Sequence, residues 1–138
     1  MVLFKNKFAV LSIALSTMLY SPLVQAGNYL PDVHILGDIS YITGGIGVEE
    51  TKAMESERSD YNLQIMNSDS TGHFDGTRNI LISDENGNEL LDVNGGPLFY
   101  ASLPKGRYLV QGSSKDQVKK QKINVSGNKP AIIHFVWK

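Results

Sequence analysis

From Tyr61 to Trp137 apolar and polar residues alternate with a period of two, and turn-forming residues interrupt the alternation about every eight to twelve positions. The segments between the interruptions are Tyr61–Met66, Arg78–Ser83, Glu89–Val93, Leu98–Leu103, Arg107–Ser113, Gln117–Val125 and Ala131–Trp137. Each is short and rich in β-branched or aromatic residues, so each is expected to be a strand. Asn86 and Gly87 suit the positive φ that a tight hairpin needs between Ser83 and Glu89. Upstream, Ile39–Thr43 alternates in the same way. Val48–Asp60 breaks the pattern: Glu, Lys, Ala, Met and Arg dominate and neither Gly nor Pro occurs. A helix over about 48–60 follows. Its apolar residues are few, essentially Val48, Ala53 and Met54, so it is expected against one end or edge of a sheet rather than in a core. Short strands at this spacing predict a mainly β sandwich with one short helix.

The first part of the chain has another character. Lys5 and Lys7 precede an apolar run from Phe8 to Tyr20, and Val24-Gln25-Ala26 closes it with small residues. These are the parts of a secretory signal peptide, with cleavage expected after Ala26. The run is shorter than the roughly 20 residues that a membrane-crossing helix needs. The expected division is therefore a signal peptide at 1–26, an extended lead-in at 27–38 and a β-sandwich domain at 39–138. Removing 26 of 138 residues leaves 112, an ordinary single domain. The chain has no cysteine, so neither disulfides nor a lipid on cysteine can hold it, and the core must stabilise the fold alone.

Loss of Lys5 and Lys7 leaves 11 basic against 14 acidic residues, a balance of −3. Nothing in that balance draws the protein to nucleic acid. The charges are segregated, however. Glu49, Glu50, Glu55, Glu57 and Asp60 crowd the helix segment, and Lys115, Lys119, Lys120, Lys122 and Lys129 crowd another. Two readings of the lysines stand side by side: Lys119, Lys120 and Lys122 bind an anionic glycan or lipid head group, or they guard an edge strand against pairing with other chains.

Candidate chemistry is sparse. Gly44-Gly45-Ile46-Gly47 precedes the helix as a phosphate-binding loop would, but Glu49 and Glu50 occupy the first turn and no Lys-Ser or Lys-Thr follows. His73, flanked by Asp69 and Asp75, is the best-placed of three histidines for a metal, while His34 lies in the lead-in and His134 is expected to point outward from the last strand. The loop Asp84–Glu89 places oxygens at alternate positions, but Glu89 and Gly95 stand at the sixth and twelfth places, where a calcium loop requires glycine and a bidentate glutamate. No metal or cofactor is expected from these residues.

Leu103-Pro104-Lys105-Gly106-Arg107-Tyr108-Leu109-Val110 carries the run Leu-Pro-x-Gly-x-Tyr-x-Val. This resembles the strand-turn-strand of carboxypeptidase regulatory-like domains, which implies a seven-stranded Greek-key sandwich of prealbumin (transthyretin)-like type. Leu90, Asp92 and the Asn86-Gly87 hairpin fit the same pattern. The chain also resembles exported proteins of Gram-negative bacteria that carry this domain. There a Tyr-x-x-Gly-Gly-x-Gly segment, here Tyr41 to Gly47, precedes an acidic helix, and Phe-x-Trp, here Phe135 to Trp137, stands near the end. The resemblance implies a non-catalytic module. The hydroxyisourate hydrolases of the same fold have a terminal Tyr-Arg-Gly-Ser, where this chain has Phe135-Val136-Trp137-Lys138, and no Gly-x-Ser-x-Gly elbow is present. Strands of about five to nine residues also fall short of an outer-membrane barrel. The expectation is a periplasmic or secreted module, not an enzyme, that binds another envelope protein through Tyr41, Gly44, Gly45, Ile46 and Gly47 with the adjoining helix. The alternative is anion recognition by the Lys115–Lys129 hairpin.

Overall fold

The computed structural model describes residues 29–74 and 76–138. The expected signal peptide, with the first residues of the lead-in, lies outside them. The described residues form two sheets and one short helix. In chain order the elements are β1 (His34–Leu36), β2 (Ile39–Gly44), α1 (Val48–Glu57) continued by a 3-10 turn at Arg58–Asp60, and β3 (Leu63–Asp69). There follow β4 (Arg78–Asp84), β5 (Glu89–Gly95), β6 (Leu98–Ser102), β7 (Gly106–Ser113), β8 (Val118–Val125) and β9 (Ala131–Trp137). The first sheet runs β1-β2-β6-β3-β9 and the second β5-β4-β7-β8. All pairings are antiparallel except β3 with β9, which is parallel.

Side-chain alternation builds the core between the sheets. Leu63, Ile65, Phe99, Ala101, Ile133, Phe135 and Trp137 from the first sheet meet Ile80, Ile82, Leu91, Tyr108, Val110 and Val125 from the second. Gly112 lies on this inner face because the Phe135 and Trp137 rings pass over it: a Cβ there would stand 3.0 Å from Phe135 Cδ2 and 3.2 Å from Trp137 Cζ2. The Trp137 indole N–H is satisfied by the buried Asn67 Oδ1 at 2.9 Å. The Arg78 guanidinium lies 5.0 Å from the same ring and the Lys119 ammonium 5.6 Å.

Four local expectations are corrected. The lead-in is not merely extended: its last part, β1, pairs with β2 across a turn at Gly37, whose φ is +62°. The helix ends at Glu57. It also lies on the outer face of the five-stranded sheet, where Met54 is fully buried with Ile42, Leu98 and Tyr100 in a second, smaller cluster. β6 is consequently covered on both faces, Phe99 and Ala101 inward and Leu98 and Tyr100 under the helix, which explains its unbroken apolar run. In the β4–β5 hairpin only Gly87 takes a positive φ, +88°, and Asn86 does not. Asp84 closes that loop instead, its Oδ1 accepting from the Asn86 and Asn88 amides at 2.9 Å each.

Asn62 fastens the strand crossings. Its amide donates to the Leu103 carbonyl at 2.8 Å and accepts from the Leu103 N–H at 2.9 Å, while its own carbonyl accepts from the Ala131 N–H at 2.8 Å. Among the described residues no helix is long and apolar enough to cross a membrane.

Candidate functional site

The glycine segment joins β2 to α1 over the end of β6. Gly45 has φ +97°, and a Cβ on it would stand 2.9 Å from Leu98 Cγ. A Cβ on Gly96 would stand 2.8 Å from the Gly44 carbonyl oxygen, so two glycine-containing stretches pass almost backbone to backbone. Thr43 locks the crossing: its hydroxyl donates to the Leu98 carbonyl and accepts from the Gly96 N–H, both at 2.8 Å.

The backbone amides of this segment do form an anion-binding arrangement, and the chain fills it itself. Glu50 Oε1 accepts from the Gly45 N–H at 2.7 Å and the Ile46 N–H at 3.1 Å. A phosphate would have to displace this carboxylate. Gly47 opens the helix with φ +88° and no side-chain cap, and the Thr51 hydroxyl reaches the Gly45 and Gly47 carbonyls at 3.0 and 2.7 Å. Glu49 and Glu50 in the first turn complement the helix dipole.

The expected partner-binding residues do not form one surface. Tyr41 is half-buried on the inner face, stacked between His34 at 5.0 Å and Phe99 at 5.2 Å, and it seals the rim of the main core. Gly44 is packed too tightly to be a contact surface, since a Cβ on it would run into Glu50 and Pro31. Ile46 alone projects, 70% exposed, and Val48 beside it is 67% exposed. With Phe74, 38% exposed, Val48 borders a shallow depression of about 390 Å³ whose other walls include Gly47, Thr51 and Lys52.

Sequence reasoning missed Phe74, Ile132 and Val136. Phe74 pairs opposite Ser68 in an isolated bridge. Ser68 follows the inward Asn67 and therefore faces outward, and Phe74 takes the same side. Ile132 and Val136 alternate with the buried Ile133, Phe135 and Trp137, so they too lie on the outer face, 57% and 42% exposed. Val48, Phe74, Ile132 and Val136 thus share the face that α1 covers only in part. The signal was present in β9: two of its three outward positions, Ile132 and Val136, are apolar where a solvated strand would carry polar residues. His134, outward as expected, is bonded through Nε2 to the buried Ser68 Oγ at 2.7 Å.

The lysines also separate. The β7–β8 register sets Lys119 opposite the inward Gly112, whereas Lys120 and Lys122 face Gln111 and Leu109 on the outer side of the second sheet. Lys119 is engaged with Trp137. Lys122 borders a pocket of about 700 Å³ that also holds Arg107, Asp84 and Glu85, a site of mixed sign. β8 is an edge strand of its sheet.

Around His73 the described residues make a closed turn. Asp69 Oδ1 accepts from the Thr71 hydroxyl at 2.6 Å and from the Thr71 and His73 amides at 2.8 and 3.0 Å, and the Thr71 hydroxyl also meets His73 Nδ1 at 2.7 Å. The Thr71 hydroxyl, more than any other group, holds the Asp69 carboxyl below its usual pKa. Asp75 lies outside the described residues, and among those described no group of three or more metal-ligating side chains gathers.

No protein-family model and no curated protein matches the chain. Among solved structures, the Bacillus anthracis TIE protein is similar over 55% of this chain at 18% identity, with a TM-score of 0.43. The chain spans 15% of that protein's length.

Proposed function

We propose that the protein is an exported, non-catalytic binding module of the cell envelope, periplasmic or secreted, which docks another envelope protein on the outer face of its five-stranded sheet. The observation that carries this reading is the exposure of Val48, Phe74, Ile132 and Val136 on the face that α1 covers only in part, Val48 and Phe74 bordering one depression there. Isolated exposed apolar residues are ordinary; a shared face of them beside a charged helix is the pattern of a contact surface.

The prealbumin-like reading belongs to the same proposal. With the β1–β2 hairpin set aside as an addition to the edge of β6, β3–β9 number seven. The chain leaves β5 for β6 in the other sheet and returns to place β7 beside β4, a Greek-key type of connection. The Tyr108 hydroxyl donates to the Pro104 carbonyl, so the Leu-Pro-x-Gly-x-Tyr run acts as one turn unit.

The test is photocrosslinking in the native envelope from a photoreactive residue at Ile46, and separately at Lys120. The proposal expects a discrete protein adduct from Ile46 that disappears when Val48→Asp and Phe74→Ser are added. Glycan or lipid captured from Lys120 alone would instead establish the anion-binding alternative, and silence at both positions would end the reading.

A further inference from the structure

The two sheets have four edges, β1, β9, β5 and β8, and three are guarded. β1 has only three residues and lies between Asp32 and Asp38; β5 carries Glu89 and Asp92, with a register shift beside Leu90; β8 carries Lys119, Lys120 and Lys122. Short strands, bulges and charges are the usual protections of an edge. β9 has none of them. It runs for seven residues, Ala131–Trp137, without an acidic side chain, lysine or arginine.

Its unpaired backbone groups can be assigned. Ala131 donates its N–H to Asn62, on the β3 side. In a parallel pair alternate residues turn their N–H and C=O to the same neighbour, so Ile133, Phe135 and Trp137 follow Ala131 toward β3. Ile132, His134 and Val136 turn theirs to the open edge. Lys138, next in that series, has its N–H taken by Gln117 Oε1 at 3.2 Å, which closes the edge just beyond Trp137.

We infer that β9 is the seat of an added strand: an extended segment of another protein pairs with Ile132, His134 and Val136, lays apolar side chains beside Ile132 and Val136, and carries acidic residues at its two ends. The charge pattern selects this occupant. Exposed Lys129 and Lys138 stand at either end of the uncharged strand, and the Lys119 ammonium lies by Trp137. A second copy fits worse, because two-fold antiparallel pairing centred on His134 would set Lys138 of each copy beside Pro130 and Lys129 of the other, with like charges meeting at both ends. The mode is strand addition, in which main-chain bonds supply affinity and alternate side chains supply selectivity. It rests on the reading of the protein as a binding module and names how the partner is held.

The test uses the folded chain and two synthetic peptides, each a core of alternating valine and threonine, one with aspartate at both ends and one with lysine. Amide exchange at Ile132, His134 and Val136 is followed by NMR and affinity by fluorescence anisotropy. The aspartate-ended peptide should slow exchange at those three amides and bind about tenfold tighter than the lysine-ended one at low salt, a gap that narrows as salt rises. Val136→Pro, which removes one open-edge N–H, and Ile132→Lys, an exposed substitution that leaves the core untouched, should each lose the binding. Unchanged exchange at the three amides with both peptides overturns the inference, as does equal binding of the two peptides. A free protein that sediments as a dimer with the same amides protected replaces the foreign strand with a second copy. An Ile46 crosslink to an envelope protein together with unprotected β9 amides would end strand addition and leave the binding-module reading intact; loss of that crosslink with protected amides would end docking through the Ile46 surface and leave β9 as the place where the partner is held.

Discussion

Replacing Met54 by Ala should detach α1 while leaving the sandwich folded. Met54 is the only buried residue of α1, and it packs on Ile42, Leu98 and Tyr100 outside the main core. A ten-residue helix is marginal in isolation, so tertiary anchoring must supply its stability. Besides Met54, α1 is anchored by the Glu50 bonds to the Gly45 and Ile46 amides and by the bonds of Thr51, which are exposed or only partly buried. Truncation removes about three heavy atoms, roughly 2 kcal/mol of burial before any cavity cost. At 1.4 kcal/mol per factor of ten, exchange of the α1 amides should accelerate about 30-fold. The amides of β4 and β7 belong to the main core and should keep their protection. The assay is native-state hydrogen exchange read residue by residue, with far-ultraviolet circular dichroism as a check that the sheets persist. Equal acceleration in α1, β4 and β7 would refute the reasoning, since it would make helix and sandwich one cooperative unit.

Three further outcomes follow from the same geometry. Gly45→Ala forces a side chain into φ +97° against Leu98 Cγ, and should cost about 1–3 kcal/mol in urea unfolding; a change below about 0.5 kcal/mol would remove the argument for close passage. Asn62→Ala strips both hydrogen bonds from the Leu103 backbone and should cost about 2–4 kcal/mol, with Asn62→Asp keeping only the acceptor and falling between; an Asp variant no better than Ala would mean that the Leu103 N–H bond contributes nothing. Asp69 has a folded-state pKa below its unfolded value of about 3.9, so its contribution is present above that value and is lost as pH falls through the folded pKa. Thr71→Val should raise the Asp69 pKa, read from the carboxyl carbon shift in an NMR titration, and identical titration of the two proteins would assign the shift to another cause.

The sandwich was legible because alternation is a local signal. Leu98–Leu103 and Ala131–Trp137 identify themselves as strands by β-branched and aromatic residues between turns, and both recur in the structure with little change of bounds. The position of α1 was not legible, because it depends on which face of a distant sheet is left uncovered. Met54 looks like any apolar residue on a polar helix until Ile42, Leu98 and Tyr100 are brought together beneath it. β1 was missed because His34–Leu36 is too short to show a period and is created by pairing with β2. The candidate site residues are separated for a different reason. Tyr41 and Ile46 are near in sequence and share a composition typical of a binding loop, yet the pleat turns Tyr41 into the core rim while the glycine turn throws Ile46 out. Lys119, Lys120 and Lys122 were divided by the same two-residue period, which clustering in sequence conceals.

Those separations bear on what the outer face can do. The main core lies between the sheets, so a change at Ile46, Val48, Ile132 or Val136 removes few of its contacts, and the surface can vary without loss of the fold. The outer face is also rigidly held. Gln64 is buried there with its amide donating to the Arg58 carbonyl at 3.0 Å, and Ser68 is buried with its hydroxyl on His134, so both ends of β3 are fixed beneath the helix and beside β9. A partner strand arriving at β9 would therefore meet a preformed edge and lose little to ordering of the protein itself, whereas a partner gripping α1 would compete with the single Met54 anchor. The firm contact belongs at β9, with the helix and the Ile46 loop adapting to whatever the added strand brings with it.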